Sequence, residues 1–130
     1  MITASDWLLS RTVDPLNGKY ADIKKTIIKQ KLFTFLSAVE EKTKTRVYIT
    51  AGWESGGHNP GSKHYNGEAV DFVLLREPFW AEVVGDELNK IYNIINQEAS
   101  RNSLWLLNEY KKKTKATTGG HLHAEYREKG

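Results

Sequence analysis

Two short segments of this 130-residue sequence hold residues that could bind a metal ion. His121 and His123 are two residues apart, so on a β-strand their side chains project to the same face. Asp71 lies in an apolar run, where a buried carboxylate is costly unless a cation or hydrogen-bond donors compensate it. His64 lies seven residues before Asp71, across an Asn-Gly turn signal. Two histidines and one aspartate with a fourth position open are the ligand set of a catalytic zinc site.

Each of these pairs also has an ordinary explanation. A His-X-His on a strand arises often by chance, and a His and an Asp seven residues apart mean little by themselves. Their joint presence, with Gly67 at the turn and the small Ala69 beside the acid, favours the metal site. Because the chain contains no cysteine, thiolate chemistry is excluded and any metal must be held by histidines and carboxylates.

The elements that must position these residues follow from the spacing of apolar residues. A period of three to four positions predicts amphipathic helices from Tyr20 to about Lys42 and from Pro78 to about Ile95, with Gly85 as a candidate break. β-Branched and aromatic runs predict four strands, and turn-forming residues predict a loop at 54–62. The strands are expected at 46–53, 68–75, 104–107 and 121–126. This order predicts one α+β domain over residues 1–130, a small antiparallel sheet with helices packed on one side.

The composition is that of an ordinary soluble domain. It is 39% hydrophobic and 27% charged, and no apolar run approaches the roughly 20 residues that span a bilayer. The N-terminus lacks the basic start and apolar stretch of a signal peptide, so we expect a chain that is cytoplasmic as synthesised. A domain of this size can form a core by itself, so we expect a monomer.

A basic patch lies near the C-terminus, where four lysines fall between Lys111 and Lys115 in a chain of formal net charge +3. Such a patch could meet an anionic polymer, but a charge run beside Thr and Gly residues is more often a solvated loop. Without aromatic interleaving or a helix-turn-helix pattern, we expect no nucleic-acid binding.

Two segments of the chain resemble the signatures of a peptidase family. Ser62 to Asp71 resembles the Ser-X-His-X-X-Gly-X-Ala-X-Asp signature of the zinc D-Ala-D-Ala carboxypeptidases and related L-alanyl-D-glutamate peptidases, and all five fixed positions are met. His121-Leu122-His123 resembles the second signature, His-X-His. The preceding segment, Tyr48 to Trp53, resembles the strand that leads into the metal-binding loop of this family. The matches cover roughly residues 47–72 and 119–126.

The resemblance implies a Hedgehog/DD-peptidase-like fold and Zn²⁺ bound by His64, Asp71 and His123. It also implies hydrolysis of peptide bonds in peptidoglycan, with the enzyme reaching the cell wall after release or as part of a phage particle. Zinc would activate a water molecule and polarise the scissile carbonyl.

The resemblance also implies a role for His121, which in this family lies beside the reacting water rather than on the metal. His121 would then be the catalytic residue, stabilising the oxyanion or shuttling a proton, and Glu125 is a weaker candidate base. Ser62 either binds substrate or caps the turn, since Ser is a frequent turn residue. Trp53 and Trp105 either line the cleft or pack in the core.

The sequence departs from the family pattern at one place. Members commonly carry an Arg shortly after the Gly-aromatic pair, where it can grip a substrate carboxylate, but this chain has Glu54 and Ser55 there. An endopeptidase needs no such anchor, so we expect an endopeptidase rather than a carboxypeptidase, unless Lys63 or Arg46 takes the place of the missing Arg after folding. A non-catalytic wall-binding or virion structural module of the same fold is the alternative, and a metal-dependent nuclease is a third class.

Overall fold

The computed structural model describes residues 2–5, 28–52, 62–110 and 120–127. Within these ranges the fold is α+β, with two α-helices, a short 3₁₀ turn at Lys63–Asn66 and one mixed sheet. The helices are α1 (Gln30–Thr43) and α2 (Gly85–Arg101). The strands are β1 (Thr3–Ala4), β2 (Arg46–Ala51), β3 (Ala69–Arg76), β4 (Ala81–Glu82), β5 (Leu104–Asn108) and β6 (Leu122–Tyr126).

The sheet runs in the order β1-β2-β3-β6-β5, and β4 pairs with β3. All pairings are antiparallel except β1 with β2, which is parallel, so the prediction of a wholly antiparallel sheet is wrong at this edge. A two-residue strand is too short to show a period of two, which is why β1 was not predicted. The central pair, β3 and β6, places Asp71 directly opposite His123.

The alternation of side chains along β3 separates the core from the face that carries the candidate site. Val70, Phe72 and Leu74 are fully buried in a cluster that includes residues of both helices. Phe35 of α1 meets Phe72 edge to face, with ring centroids 6.0 Å apart. Asp71 lies between two of these residues in sequence, so its side chain points to the opposite face of the sheet.

The second helix begins later than its apolar spacing indicates, so the predicted start at Pro78 is wrong. Residues 77–80 form a turn, and the next two residues form β4, paired with Leu75 and Arg76. Trp80 has a φ of 56°, in the left-handed region that a right-handed helix cannot contain. Gly85 begins α2 instead of interrupting it, and the acidic residues that follow in its first turn favour a helix start there.

The first helix also begins later than predicted, at Gln30, because Lys29 has an extended backbone. Residues 20–27 of that prediction lie outside the described residues, as does most of the predicted 54–62 loop. The strand predictions hold to within two residues where the structure describes them. In the described part of the chain, no helix is both long and apolar enough to cross a membrane.

Candidate metal centre

His64 is held by a capped 3₁₀ turn between β2 and β3. The Ser62 hydroxyl accepts a hydrogen bond from the His64 backbone N–H at 3.2 Å, as an N-cap does. Gly67 ends the turn with a φ of 72°, a left-handed conformation that glycine adopts without strain, and its N–H donates to the His64 carbonyl. Of the two roles predicted for Ser62, turn capping is therefore present in the structure, and substrate binding stays a prediction.

The three predicted ligands converge on one point of the open sheet face. One ligand atom from each of His64, Asp71 and His123 lies within 4.8 Å of the other two. His64 Nε2 is 3.5 Å and His123 Nδ1 is 2.6 Å from the same oxygen, Asp71 Oδ1. All three side chains are largely buried, with exposed fractions of 5%, 15% and 12% for His64, Asp71 and His123.

The hydrogen bonds of His64 determine which of its nitrogens faces the site. Nδ1 lies 3.1 Å from the Gly52 carbonyl oxygen. A carbonyl can only accept, so in the neutral ring the proton resides on Nδ1 and the lone pair of Nε2 points toward Asp71. Metal-binding histidines are typically oriented in this way, through a hydrogen bond from the ring nitrogen that does not bind the metal.

Both ring nitrogens of His123 face carboxylates. Nδ1 lies 2.6 Å from Asp71, and Nε2 lies 2.9 Å from Glu125 Oε1. Since carboxylates only accept, the ring needs a proton on each nitrogen unless a cation takes the place of the Nδ1 proton. Burial opposes this charge, but the hydrogen bonds to Asp71 and Glu125 raise the pKa of His123 above its ordinary value.

Asp71 stays ionised in this environment. Burial alone would raise its pKa, but the hydrogen bond and charge of His123, together with those of His64 when that ring is protonated, hold the pKa of Asp71 far below its usual range. A buried anion that faces two imidazole nitrogens is a donor set that suits a divalent cation such as Zn²⁺, so these residues fit the predicted ion.

His121 lies on the same face but approaches the other oxygen of the aspartate. Its Nε2 is 3.6 Å from Asp71 Oδ2 and 4.0 Å from Glu109 Oε1. With 18% of its side chain exposed, His121 is more accessible than the three candidate ligands. The structure therefore places His121 beside the candidate site without grouping it with the ligands, and its catalytic role stays a prediction.

Glu109 is a site residue that the sequence analysis missed. It follows β5, and its backbone N–H donates to the His121 carbonyl at 3.0 Å. The pairing of β5 with β6 brings this carboxylate beside His121. Extending the predicted 104–107 strand by two residues and pairing it with the His-X-His strand would have found it.

An apolar strip lies beside the site on the edge strand β5. In the strand register Trp105 is opposite Glu125 and Leu107 is opposite His123, so these side chains share the face of the site. Trp105 is 51% and Leu107 43% exposed. Trp105 is thus a surface residue beside the site and not part of the core.

Several residues that the sequence analysis singled out lie outside the described residues. These are Trp53, Glu54, Ser55 and the lysines from Lys111 to Lys115. No family model matches this sequence, and no curated protein matches it. The resemblance to zinc peptidases therefore rests on the two short signatures, and the family stays a prediction.

Proposed function

We propose that this protein is a zinc peptidase that hydrolyses peptide bonds in peptidoglycan stem peptides or cross-links, with a Hedgehog/DD-peptidase-like fold. The observation that carries the proposal is the convergence of His64, Asp71 and His123. In each histidine the ring nitrogen that faces away from Asp71, Nδ1 of His64 and Nε2 of His123, is hydrogen-bonded to an acceptor. His64 Nε2, His123 Nδ1 and an Asp71 oxygen would hold the ion. When bound there, Zn²⁺ supplies a Lewis acid that polarises a carbonyl and makes water a stronger acid.

His121 is the candidate catalytic residue of the chain. Its Nε2 reaches the open side of Asp71, where it can hold or release a proton or donate a hydrogen bond to a developing oxyanion. Glu109 Oε1 lies 4.0 Å from the same nitrogen, beyond hydrogen-bond distance, so Glu109 adds negative charge beside His121 without fixing the orientation of its ring.

The described cations near the site favour an endopeptidase over a carboxypeptidase. Lys63 Nζ is bound by Glu125 Oε2 at 3.1 Å and also donates to the Tyr126 carbonyl, so it is not available to grip a substrate carboxylate. Arg46 pairs with Leu75, four residues along β3 from Asp71, and its guanidinium stacks 4.0 Å from the Trp80 ring. A substrate that continues on both sides of the cleaved bond needs neither cation.

The experiment that tests this function is digestion of purified peptidoglycan by the zinc-loaded protein, with mass analysis of fragments and labelling of new amino termini. New amino termini within cross-links or stems support the endopeptidase. Free D-Ala as the only product would show a carboxypeptidase. Binding to wall sacculi with no released fragment would favour the non-catalytic module, and Glu87→Gln, at an exposed ion pair on α2, is the matched control variant.

A further inference from the structure

We propose that the ion pair between Lys63 and Glu125 is a positioning device for the metal centre, which holds His123 in the orientation and tautomer that present Nδ1 to the metal. This inference rests on the proposed metal site. Neither residue contacts the point where the three ligands converge, so both act through His123.

Glu125 bridges the histidine and the lysine with its two oxygens. Oε1 lies 2.9 Å from His123 Nε2, and Oε2 lies 3.1 Å from Lys63 Nζ. Because the carboxylate only accepts, it keeps a proton on Nε2 and leaves Nδ1 as the nitrogen that faces Asp71. Both oxygens are thereby engaged, which argues against the predicted role of Glu125 as a weaker candidate base.

Lys63 connects the two segments that carry the histidine ligands. It directly precedes His64 in the 3₁₀ turn, while its ammonium group contacts Glu125 and the Tyr126 carbonyl of β6. Its Nζ also lies 5.4 Å from the centroid of the Trp105 ring. The Lys63 side chain therefore fixes the turn that bears His64 against the strand that bears His123.

The burial of the pair makes this connection stronger than an ordinary surface ion pair. The Lys63 and Glu125 side chains are 19% and 20% exposed, whereas those of Arg76 and Glu87 are 38% and 47% exposed. Exposed pairs hold their side chains weakly because solvent and salt screen them. The Arg76–Glu87 pair thus offers a control, because Glu87→Gln removes one negative charge from an ion pair, as Glu125→Gln does, but away from the site.

Substitution of Glu125 by glutamine should weaken metal binding, because it changes which nitrogen of His123 carries the proton. With Lys63 still present, the new amide oxygen in Glu125→Gln turns toward the ammonium group, and the amide NH₂ group faces His123 Nε2. That donor forces the ring proton onto Nδ1, the wrong tautomer for the metal. Replacing Lys63 as well, in Lys63→Met with Glu125→Gln, lets the amide oxygen turn back toward His123.

The test is zinc affinity, measured by competition with a chromogenic chelator, together with the visible spectrum of the cobalt(II) protein. Thermal unfolding in chelator shows that each variant folds without metal. We expect Glu125→Gln to bind zinc roughly 10–100-fold more weakly and to shift the cobalt bands. The double variant should recover part of that loss, and Glu87→Gln should match the wild type. If the ion pair had only a structural role, breaking it would lower the unfolding temperature and leave the cobalt spectrum unchanged.

The outcomes separate this role from the proposed function. Full zinc affinity and an unchanged cobalt spectrum in folded Glu125→Gln would overturn the positioning role and leave the zinc site intact. A double variant that binds zinc no better than Glu125→Gln would overturn the part assigned to Lys63. A wild-type protein that binds neither zinc nor cobalt would overturn the metal site itself. If Glu125→Gln does not fold, Lys63→Met alone decides, with weaker zinc binding expected and unchanged binding contradicting the role.

Discussion

Asp71 lies directly across from His123 in the pairing of β3 with β6, and its Oδ1 is 2.6 Å from Nδ1 of that histidine. The two strands are at the centre of the sheet order, so a backbone ladder on each side supports the pair. Side chains on paired strands are positioned more accurately than side chains on loops. The rigid half of the candidate site is therefore this cross-strand pair, and His64 is added from the adjoining 3₁₀ turn.

Substitution of His121 should separate catalysis from metal binding. His121→Ala removes a ring that approaches Asp71 Oδ2 but is not grouped with the ligands, so zinc should stay bound. Loss of a general acid or base lowers turnover by roughly 10²–10⁴-fold. The measurements are zinc content and the rate of peptide release from purified peptidoglycan. Loss of zinc in His121→Ala would mean that this residue, rather than His123, is the ligand within His-X-His.

Substitution of Gly120 should destabilise the fold next to the candidate catalytic residue. A Cβ at this position would lie 2.1 Å from Cδ1 of Tyr110, whose hydroxyl donates to Glu82 and holds the ring in place. We expect Gly120→Ala to lower the free energy of unfolding by roughly 1–3 kcal/mol, measured by urea denaturation in chelator.

Tyr110→Ala provides the control for that clash. In the Tyr110→Ala background the ring is absent, so Gly120→Ala should cost much less than it does in the wild type. Equal costs in the two backgrounds would show that the backbone at Gly120, and not the Tyr110 ring, demands glycine.

Zinc binding should weaken as the pH falls, and the weakening should begin above the ordinary pKa of histidine, about 6.5. The contacts with Asp71 and Glu125 raise the pKa of His123, and a metal must displace the proton from its Nδ1. Below that raised pKa, each pH unit should lower the apparent zinc affinity about tenfold. Asp71 adds no competition in this range, because its pKa is held far below the ordinary value. A zinc affinity that is constant from pH 8 to about 6 would contradict the ring charge assigned here.

The two halves of the candidate site could be predicted from the sequence because the residues within each half are close together in the chain. A period of two puts His121 and His123 on one face, and the Asn-Gly signal places His64 near the strand that holds Asp71. The structure brings His64, Asp71 and His123 together, but the choice of His123 over His121 as the ligand came from the family resemblance and not from the spacing.

Features that depend on packing between distant segments could not be predicted in this way. The ion pair of Lys63 with Glu125 joins residues 62 positions apart, through a turn and a strand whose approach no local pattern encodes. The start of α2 was missed because Phe79 and Trp80 continue the helical spacing of apolar residues, whereas both are exposed in a hairpin. An apolar period reports a helix only if its apolar side meets a core.

The most direct measurement of the central claim is the zinc content of the purified protein by elemental analysis, before and after zinc loading and dialysis. The account predicts about one zinc per chain in the wild type and in Glu87→Gln. It predicts loss of that zinc in His64→Ala, Asp71→Ala and His123→Ala, each checked to be folded by circular dichroism. A folded wild-type protein that stays free of zinc after loading, or ligand variants that keep their zinc, would contradict it.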